Sequence, residues 1–413
     1  MVILKLTQGE CIKLYGPMSV TVKSGCLNVY YKKACAGDRF VVHKARNYVV
    51  EALDECELDV SMINNSQIQP IELEDPYWEK KKIISGIVKG DRRKIMVIGC
   101  IDCGKTALVT MLYNAFAEKN LRVAVIDGDV GQADIGPPGF VTLGSHEEQV
   151  YWISELKPIM MRFIGDIKPQ FLTHVIIREL EYLANYALNS GFDRVVIDTD
   201  GWVSDEHAIT YKQKLVEALR PETIVVIGDN IEKYFAMYAK LGIAVYSVKP
   251  PVHRKTRSRE ERRMLRSSRY KSYLSEAPLV KVKLDEVLVS GLPLLQGPEV
   301  DSSLIYGFIE GKLVYASQMP CTLYLYGSIK SYNTEELKKL GYDKVKVYPI
   351  GFEKNLYCAV GSTTGSEYPC LLEKIDFESR EVLLRTKYTG KIEFLKISRI
   401  RLNDEYLEEY VEA

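Results

Sequence analysis

The fold is decided by the stretch IMVIGCIDCGKT, which runs from Ile95 to Thr106. An apolar run typical of a buried strand is followed by the motif GxxxxGK[ST] and then by a segment with helical spacing, which is the setting of a phosphate-binding loop. Glycines allow successive backbone N–H groups to turn toward one point, and the following helix adds its positive end. The sequence therefore predicts a nucleotide site formed by Gly99, Cys100, Ile101, Asp102, Cys103, Gly104, Lys105, Thr106 and Ala107.

Two side chains of this loop carry the expected cofactor chemistry. Lys105 would lie along the β- and γ-phosphates of ATP, and the Thr106 hydroxyl would bind Mg²⁺. A different interpretation is a redox or zinc CxxC pair at Cys100 and Cys103. No second pair completes a metal site, so the nucleotide interpretation is favoured. The motif identifies a nucleotide but not a reaction.

The fold class follows from the repeat of short apolar strands and helical segments from Ile95 to Pro250. Strands that are apolar throughout and alternate with helices indicate a mostly parallel sheet covered on both faces, so we predict an α/β fold. The predicted strands are Ile95 to Ile98, Val123 to Ile126, Val195 to Ile197, Ile224 to Ile227 and Val245 to Val248. The predicted helices are Lys105 to Glu118, Thr173 to Asn189, Glu206 to Leu219 and Ile231 to Lys240.

Short alternating apolar runs on both sides of this region predict flanking β domains. Before it lie Leu27 to Tyr31 and Phe40 to Val42, and after Asp285 the candidates are Thr322 to Tyr326, Val345 to Tyr348, Val382 to Leu384 and Lys396 to Ile400. We therefore predict an N-terminal β domain over residues 1–78, a P-loop domain with the Walker A motif over 79–284, and a C-terminal β domain over 285–413.

Composition constrains the remaining function classes. The chain has 413 residues, with 55 Lys plus Arg against 55 Asp plus Glu, so any site for a polyanion must be local. Met1 to Leu6 does not resemble a signal peptide, and no run approaches the ~18 apolar residues of a membrane span. The nine cysteines are scattered, which favours a reducing compartment. We expect a cytoplasmic protein, or a nuclear one if the source is eukaryotic, with no membrane partner.

Further motifs follow the next strands in chain order. The second strand runs into DGDVGQ, Asp127 to Gln132, and then IGPPG, Ile135 to Gly139; the third runs into TDGW, Thr199 to Trp202. Carboxylates at the C-terminal end of a strand beside the P-loop strand would overhang the γ-phosphate. The stretch from Arg254 to Arg269 is rich in arginine, with Arg262 and Arg266 four apart on one helical face.

Together these motifs resemble the polynucleotide 5′-hydroxyl kinases, a family that includes the eukaryotic pre-mRNA cleavage-factor subunit and the pre-rRNA-processing kinases. The four motifs occur in the family's order over Gly99 to Tyr273, and the compact chain looks like a short, archaeal-type member. The resemblance implies that Asp129 faces the attacking 5′-hydroxyl as its base, that Gln132 helps to organise the metal and its waters, and that Asp127 is structural. The implied metal set is Thr106, Asp129 and Gln132.

The resemblance also assigns the clasp and the lid. The base at the RNA 5′ end would stack on Trp202, because stacking accepts any base. An arginine-rich lid over residues 253–273 would close on the nucleotide, with Arg262 and Arg266 stabilising the transferred phosphoryl group. Lys105, Asp129, Arg262 and Arg266 are the implied catalytic residues. The implied substrate-binding residues are Gln132, Thr199, Gly201, Trp202, Arg257 and Arg259.

Less specific interpretations remain open for each of these features. Trp202 is also compatible with a packed core tryptophan, the arginine stretch with a solvated or purely RNA-binding helix, and the carboxylates with a strand end without catalysis. Asp200 departs from the small or neutral residue of the family's TxGW motif. It would either repel the substrate phosphates or face the metal.

The sequence thus predicts an ATP- and Mg²⁺-dependent kinase that phosphorylates the 5′-hydroxyl end of RNA, with DNA as a second acceptor to test. The alternative is a catalytically silent, ATP-bound scaffold subunit of an RNA-processing complex. A GTPase is disfavoured, because the loop at Gly228-Asp229-Asn230 lacks the lysine and the order of NKxD.

Overall fold

A computed structural model describes residues 2–44, 46–251 and 256–411. These residues divide into two compact units: one contains residues 1–136, 141–160 and 168–261, and the other contains residues 137–140, 161–167 and 262–413. The division into three domains with limits at 78 and 284 stays a prediction. Among the described residues, no helix combines the length and the apolar character needed to cross a membrane.

The first unit begins with two antiparallel sheets, which confirms the predicted N-terminal β structure. Their strand orders are β1-β8-β3-β6 and β5-β4-β7-β2-β9. Side chains alternate between buried and partly exposed along β2 and β3, as expected when one face covers a core. The strands are β1 Val2–Leu6, β2 Cys11–Tyr15, β3 Met18–Ser24, β4 Cys26–Val29, β5 Lys32–Cys35, β6 Arg39–Val42, β7 Asn47–Ala52, β8 Cys56–Met62 and β9 Gln67–Pro70.

A disulfide joins Cys26 to Cys35. The sequence analysis considered only Cys100 and Cys103 as a pair. The two bridged residues lie opposite each other only because β4 and β5 form an antiparallel pair in which Cys26 faces Cys35, and a separation of nine residues does not reveal that register.

The phosphate-binding region confirms the predicted α/β fold. Its sheet has the order β13-β12-β11-β14-β10-β15-β16, and β11, β14, β10, β15 and β16 are parallel to their neighbours in that series. The elements are α1 Pro76–Lys89, β10 Lys94–Gly99, α2 Lys105–Ala117, β11 Val123–Gly128, β12 Phe140–Ser145, β13 Lys157–Phe163, α3 Thr173–Asn189, β14 Arg194–Thr199, α4 Glu206–Leu219, β15 Thr223–Ile227 and β16 Ala244–Val248.

All of the strands predicted for this region are present, and three of the four helices are correct. The predicted helix from Ile231 to Lys240 is wrong, because short 3₁₀ segments, Glu232–Tyr234 and Ala236–Leu241, occupy that stretch. Strands β12 and β13 were not predicted. β12 runs antiparallel to β11, so it interrupts the βαβ repeat on which the prediction rested.

The second unit contains most of the arginine-rich helix and the C-terminal strands. One sheet has the order β17-β24-β23-β22-β25-β18, with β26 paired to β25, and a smaller sheet has the order β19-β20-β21. All of the predicted C-terminal strands lie within observed ones. The elements are α5 Arg259–Leu274, β17 Leu279–Lys283, β18 Leu288–Ser290, β19 Ile309–Met319, β20 Thr322–Tyr332, α6 Thr334–Lys339, β21 Lys344–Tyr348, β22 Leu356–Gly361, β23 Glu367–Asp376, β24 Glu381–Thr386, β25 Phe394–Leu402 and β26 Glu408–Tyr410.

Short 3₁₀ helices complete the secondary structure of the described residues. Outside the two mentioned above, they are Ile153–Glu155, Leu284–Glu286, Pro293–Leu295, Ser302–Leu304 and Tyr306–Phe308.

One buried amide ties the helix after the phosphate loop to the N-terminal sheets. Asn114, on α2, donates from Nδ2 to the carbonyls of Tyr30 (2.8 Å) and Val150 (2.7 Å). Its Oδ1 accepts from the backbone N–H of Val150 at 2.9 Å. The side chain is fully buried, so these backbone groups have no access to water in its place.

We expect Asn114→Leu to lower the free energy of unfolding by about 3 kcal/mol, because it leaves buried backbone groups without partners. Urea denaturation followed by circular dichroism measures the change. The matched control is Asn185→Leu on the exposed side of α3, which should stay within about 0.5 kcal/mol of the unaltered chain. Equal effects of the two substitutions would contradict this account of Asn114.

Candidate active site

The phosphate loop has the strand–loop–helix geometry predicted from the sequence. β10 ends at Gly99 and α2 begins at Lys105. Asp102 and Gly104 have left-handed backbone angles, with φ of 56° and 86°. Gly104 is the residue that precedes the helix, and its conformation is one that glycine adopts without steric cost. The loop therefore presents its N–H groups and the start of α2 to an anion.

Lys105 and Thr106 lie at the start of α2, and both side chains are hydrogen-bonded to neighbouring residues. The Lys105 ammonium is buried and donates to the Cys100 carbonyl at 2.9 Å. The Thr106 hydroxyl donates to Oδ2 of Asp198 at 2.9 Å. Asp198 is the buried residue next to the end of β14, the strand beside the P-loop strand. The loop is thus linked through one threonine to a carboxylate that the sequence analysis did not select.

The second oxygen of Asp198 makes this position suitable for a cation. Among the described residues, Oδ1 of Asp198 is buried and has no hydrogen-bond partner. Burial raises the pKa of Asp198 to about 7, although Lys105 and the Thr106 hydroxyl act in the opposite direction. A carboxylate oxygen with no donor beside a threonine hydroxyl is the type of oxygen pair that Mg²⁺ takes from a protein when phosphates and water supply its other ligands.

Several carboxylates share the electrostatic environment of Lys105. Burial alone would lower the pKa of this ammonium, but interactions with the Cys103 thiol and with the carboxylates of Asp198, Asp129 and Asp200 raise it above its ordinary value. Groups that shift the pKa of one ammonium must lie near it. The predicted loop lysine and the predicted base, Asp129, therefore influence each other electrostatically.

The loop after β11 is organised by Asp127, as the sequence analysis expected for a structural residue. Its two oxygens accept from the backbone N–H groups of Asp129 (3.2 Å), Asp134 (2.7 Å) and Ile135 (2.9 Å). These bonds fix the turn that carries the next carboxylate, Asp129.

Asp129 accepts two backbone hydrogen bonds through a single oxygen. Its Oδ1 accepts from Gly131 at 3.0 Å and from Gln132 at 2.9 Å. Burial raises the pKa of Asp129, and the charge of Asp200 adds to this effect. The Gln132 side chain donates to the Gly131 carbonyl at 2.8 Å. Metal contacts of Asp129 and Gln132 stay predictions.

The TDGW turn is held from within by Asp200. One Asp200 oxygen accepts from the Trp202 backbone N–H at 2.9 Å, and the other accepts from the Tyr211 hydroxyl (3.1 Å) and the Lys212 ammonium (2.6 Å). Asp200 is buried. Asp200, the residue that departs from the TxGW pattern, is therefore paired with Lys212. This ammonium offsets the negative charge that would otherwise repel phosphates.

The other residues of the turn occupy distinct positions. Thr199 is buried and donates to the Val97 carbonyl at 2.9 Å, so its hydroxyl links two strands of the sheet. Gly201 lies against the loop: a Cβ there would meet Cγ1 of Ile101 at 2.6 Å and Cα of Ile101 at 2.9 Å. Trp202 is only partly buried, unlike a packed core tryptophan. Substrate contacts of Thr199, Gly201 and Trp202 stay predictions.

The arginine-rich segment forms the expected helix, α5, although residues 252–255 lie outside the described residues. Arg266 pairs with Glu408 at 2.5 Å, and Arg263 donates to the Glu408 carbonyl at 3.1 Å. Before the helix, the Arg257 backbone N–H donates to Asp102 at 3.2 Å, and the first helical residue, Arg259, is exposed. The roles predicted for Arg257, Arg259, Arg262 and Arg266 stay predictions.

Sequence reasoning missed Asp198 and Lys212. The signal for Asp198 was present, because the apolar run Val195 to Ile197 ends in an aspartate beside the P-loop strand. The signal for Lys212 was weaker: it shares a buried helical face with Ala208, Tyr211 and Leu215, where a charged residue is unexpected.

Comparison with known proteins finds one matching family model and several similar kinases. The family model described as mRNA cleavage and polyadenylation factor CLP1 P-loop matches residues 99–276. A polyribonucleotide 5′-hydroxyl-kinase of Pyrococcus furiosus is 32% identical over 231 residues, which cover 55% of this chain and 62% of the relative. One from Methanocaldococcus jannaschii is 28% identical over 229 residues, covering 54% and 63%. The chain thus spans less than two thirds of the length of these two relatives.

Two further matches extend beyond the P-loop region. A polyribonucleotide 5′-hydroxyl-kinase of Pyrococcus abyssi is 27% identical over 324 residues, covering 76% of this chain and 88% of the relative. The solved structure of a wild-type Clp1p–Pcf11p complex matches 97% of this chain and 98% of its own chain, with a TM-score of 0.65 and 12% identity. At this low identity, the structural match shows a shared fold and nothing further.

We expect Gly201→Ala to weaken ATP binding about tenfold, because the new methyl group would displace the backbone of Ile101 in the phosphate loop. Isothermal titration calorimetry with ATP measures the change. Gly86→Ala in α1 is the control, since a Cβ at Gly86 meets nothing within 4 Å. An unchanged ATP affinity in Gly201→Ala would show that the contact with Ile101 does not shape the loop.

Proposed function

We propose that this chain, whose residues 99–276 match the CLP1 P-loop family model, is an ATP-dependent kinase that phosphorylates the 5′-hydroxyl end of RNA. The observation that carries the proposal is the geometry of the phosphate loop, in which Lys105 and Thr106 begin α2 and the Thr106 hydroxyl donates to the buried Asp198 at 2.9 Å. A protein that only binds a nucleotide needs the lysine and the threonine, whereas a kinase also needs a group that takes the proton of the acceptor hydroxyl, which is the role proposed for Asp129.

In the proposed mechanism, the loop backbone holds the triphosphate and Lys105 offsets charge on the β- and γ-phosphates. Lys105 would exchange its bond to the Cys100 carbonyl for phosphate oxygens. Thr106 and Asp198 would hold Mg²⁺, with Asp129 and Gln132 as the other predicted contributors. Bound Mg²⁺ would neutralise the negative charge that builds on the phosphate oxygens.

Asp129 takes the proton of the attacking hydroxyl. The 5′-oxygen forms a bond to the γ-phosphorus while the bond from that phosphorus to the β–γ bridging oxygen breaks, so ADP leaves and a 5′-phosphate end remains. A free carboxylate is a weak base, and the raised pKa of Asp129 strengthens it. Because the transition state is loose, orientation of the hydroxyl matters more than early proton removal.

The clasp and the lid complete the proposed acceptor site. The terminal base stacks on Trp202, and Arg257 and Arg259 contact backbone phosphates of the strand. Arg262 and Arg266 stabilise the transferred phosphoryl group. Arg266 is paired with Glu408 in the structure, so its part in this mechanism requires that it exchange a carboxylate for the phosphoryl group.

The decisive experiment is transfer of label from γ-labelled ATP, with Mg²⁺, to a 5′-hydroxyl RNA oligonucleotide. We expect transfer by the unaltered chain and at least a thousandfold loss in Lys105→Ala, because this ammonium compensates charge on the migrating group. A 5′-phosphorylated RNA should accept nothing, and a DNA strand of the same sequence measures the preference for ribose. Binding of ATP without transfer to any strand would favour the scaffold alternative.

We expect Asp129→Asn to reduce kcat by about 100-fold or more, because the amide cannot accept the hydroxyl proton. The affinity for ATP should change less than threefold, as measured by calorimetry. Transfer at the unaltered rate in this variant would remove Asp129 from the mechanism.

We expect Arg262→Ala to lower kcat about 100-fold with little change in the affinity for ATP, because its contact forms mainly in the transition state. Single-turnover kinetics separates this effect from binding. Lys271→Ala, an exposed cation on the same helix, is the matched control and should transfer at the unaltered rate. An Arg262→Ala variant that matches this control would contradict the lid assignment.

A further inference from the structure

Lys212 is a lysine with no exposed surface inside the first unit. Its side-chain exposure is 0%, and that of its partner Asp200 is 4%. Taking both charges out of water is costly, and an apolar pair of similar size would fill the same space without that cost. The neighbours of Lys212 on the buried face of α4 are mostly apolar. The residues that this ion pair contacts therefore indicate what it does beyond filling the core.

The carboxylate of Asp200 connects Lys212 to the TDGW turn. Because Lys212 and Tyr211 hold one oxygen at 2.6 and 3.1 Å, the other oxygen is directed at the Trp202 backbone N–H at 2.9 Å. The Tyr211 ring also stacks on the Trp202 ring, with centroids 6.0 Å apart and an interplanar angle of 29°. The ammonium of Lys212 lies 4.7 Å from the centroid of the Tyr211 ring. Lys212 thus supports Trp202 in two ways. It binds Asp200, which accepts from the Trp202 backbone, and it contacts Tyr211, the ring that stacks on Trp202.

The indole of Trp202 is fixed at its edge as well. Nε1 donates to Oδ2 of Asp205 at 2.7 Å, and Oδ1 of Asp205 caps α4 by accepting from Ala208 at 3.0 Å. Among the described residues, Tyr211 is the only ring that stacks on Trp202, and no cation lies over it. Asp205 therefore holds the edge of the indole, Tyr211 stacks on the ring, and Asp200 holds the backbone of Trp202. The side chain stays partly exposed.

We propose that Lys212 is a positioning residue for the RNA acceptor: by orienting and neutralising Asp200, it fixes Trp202 as the platform for the base at the 5′ end. This inference rests on the proposed function and deepens it. A flat ring held in advance loses little freedom when a base stacks on it, so the stacking contact adds more to binding.

An ion pair that only stabilises the fold would make the same contacts. The test therefore needs a measurement that a loss of stability does not change. That measurement is the dependence on the terminal base. If Lys212 acts through stacking on Trp202, its replacement matters only when the RNA has a base at its 5′ end. A loss of general stability would affect RNA with and without that base equally.

The experiment compares a 5′-hydroxyl RNA oligonucleotide with the same strand carrying an abasic 5′ residue. Binding is measured by fluorescence anisotropy in the presence of ADP, and KM and kcat are measured in parallel. We expect Lys212→Met to weaken binding of the complete strand, and to raise its KM, by about tenfold. Binding of the abasic strand and of ATP should stay within about twofold. Lys214→Met, an exposed lysine on the same helix, is the matched control.

Two further variants make the result independent of a folding failure in Lys212→Met. The double variant Asp200→Asn, Lys212→Met replaces the ion pair by a neutral amide whose oxygen can still accept from Trp202, and it should restore binding to within about threefold of the unaltered chain. Tyr211→Phe removes only the hydroxyl that reaches Asp200. It should weaken binding of the complete strand about threefold and leave the abasic strand unaffected.

The proposal is overturned if the variants weaken both strands equally, or if Lys212→Met still weakens the complete strand after Trp202→Ala has removed the platform. This outcome differs from failure of the proposed function. Binding that depends on the terminal base without any label transfer would retain the platform and remove the kinase activity. Transfer without any effect of the base would retain the kinase and remove the role of Lys212.

Discussion

The geometry of a parallel sheet places the carboxylates of neighbouring strands at one edge, and their mutual repulsion is the constraint on which this site depends. Asp127, Asp198 and Asp200 lie at or next to the ends of adjacent strands, and Asp129 follows in the turn. Three kinds of partner compensate the four: backbone N–H groups for Asp127 and Asp129, a threonine hydroxyl for Asp198, and a buried ammonium for Asp200. Without these partners, burial would leave carboxylates uncharged and poorly suited to bind cations or accept protons.

The compensation is distributed unequally, and that inequality separates the roles of the carboxylates. Asp127 and Asp200 have both oxygens engaged by protein donors, so they act as supports for the turns that follow them. Asp198 and Asp129 each receive their hydrogen bonds on one oxygen. Burial raises the pKa of Asp127 as well as those of Asp129 and Asp198, so the difference lies in the hydrogen bonds and not in the pKa. The two carboxylates proposed for the site therefore differ from the two supporting carboxylates in their hydrogen bonds.

The sequence predicted the parts of this arrangement that depend on local pattern. The phosphate loop, the apolar parallel strands and the turns at Asp127 and Thr199 follow from spacing and periodicity along the chain. The ion pair between Asp200 and Lys212, the pairing of Arg266 with Glu408 and the Cys26–Cys35 disulfide depend on packing or strand register. The segment after Ile231 has helical spacing, but a run of 3₁₀ turns satisfies the same pattern of burial. These features could not be predicted from the sequence, because no fixed spacing along the chain encodes them.

The hydrogen bonds of Asn114 have a thermodynamic consequence for the whole first unit. They join the carbonyl of Tyr30, between β4 and β5, to the helix that begins at the phosphate loop. Free energy released when a ligand occupies the loop is therefore shared with the N-terminal sheets, because the loop helix cannot unfold without breaking these bonds. By linkage, any cofactor that binds at the loop acts as a folding ligand for strands that it does not touch. Loosening of those strands must then weaken its binding by the same coupling free energy.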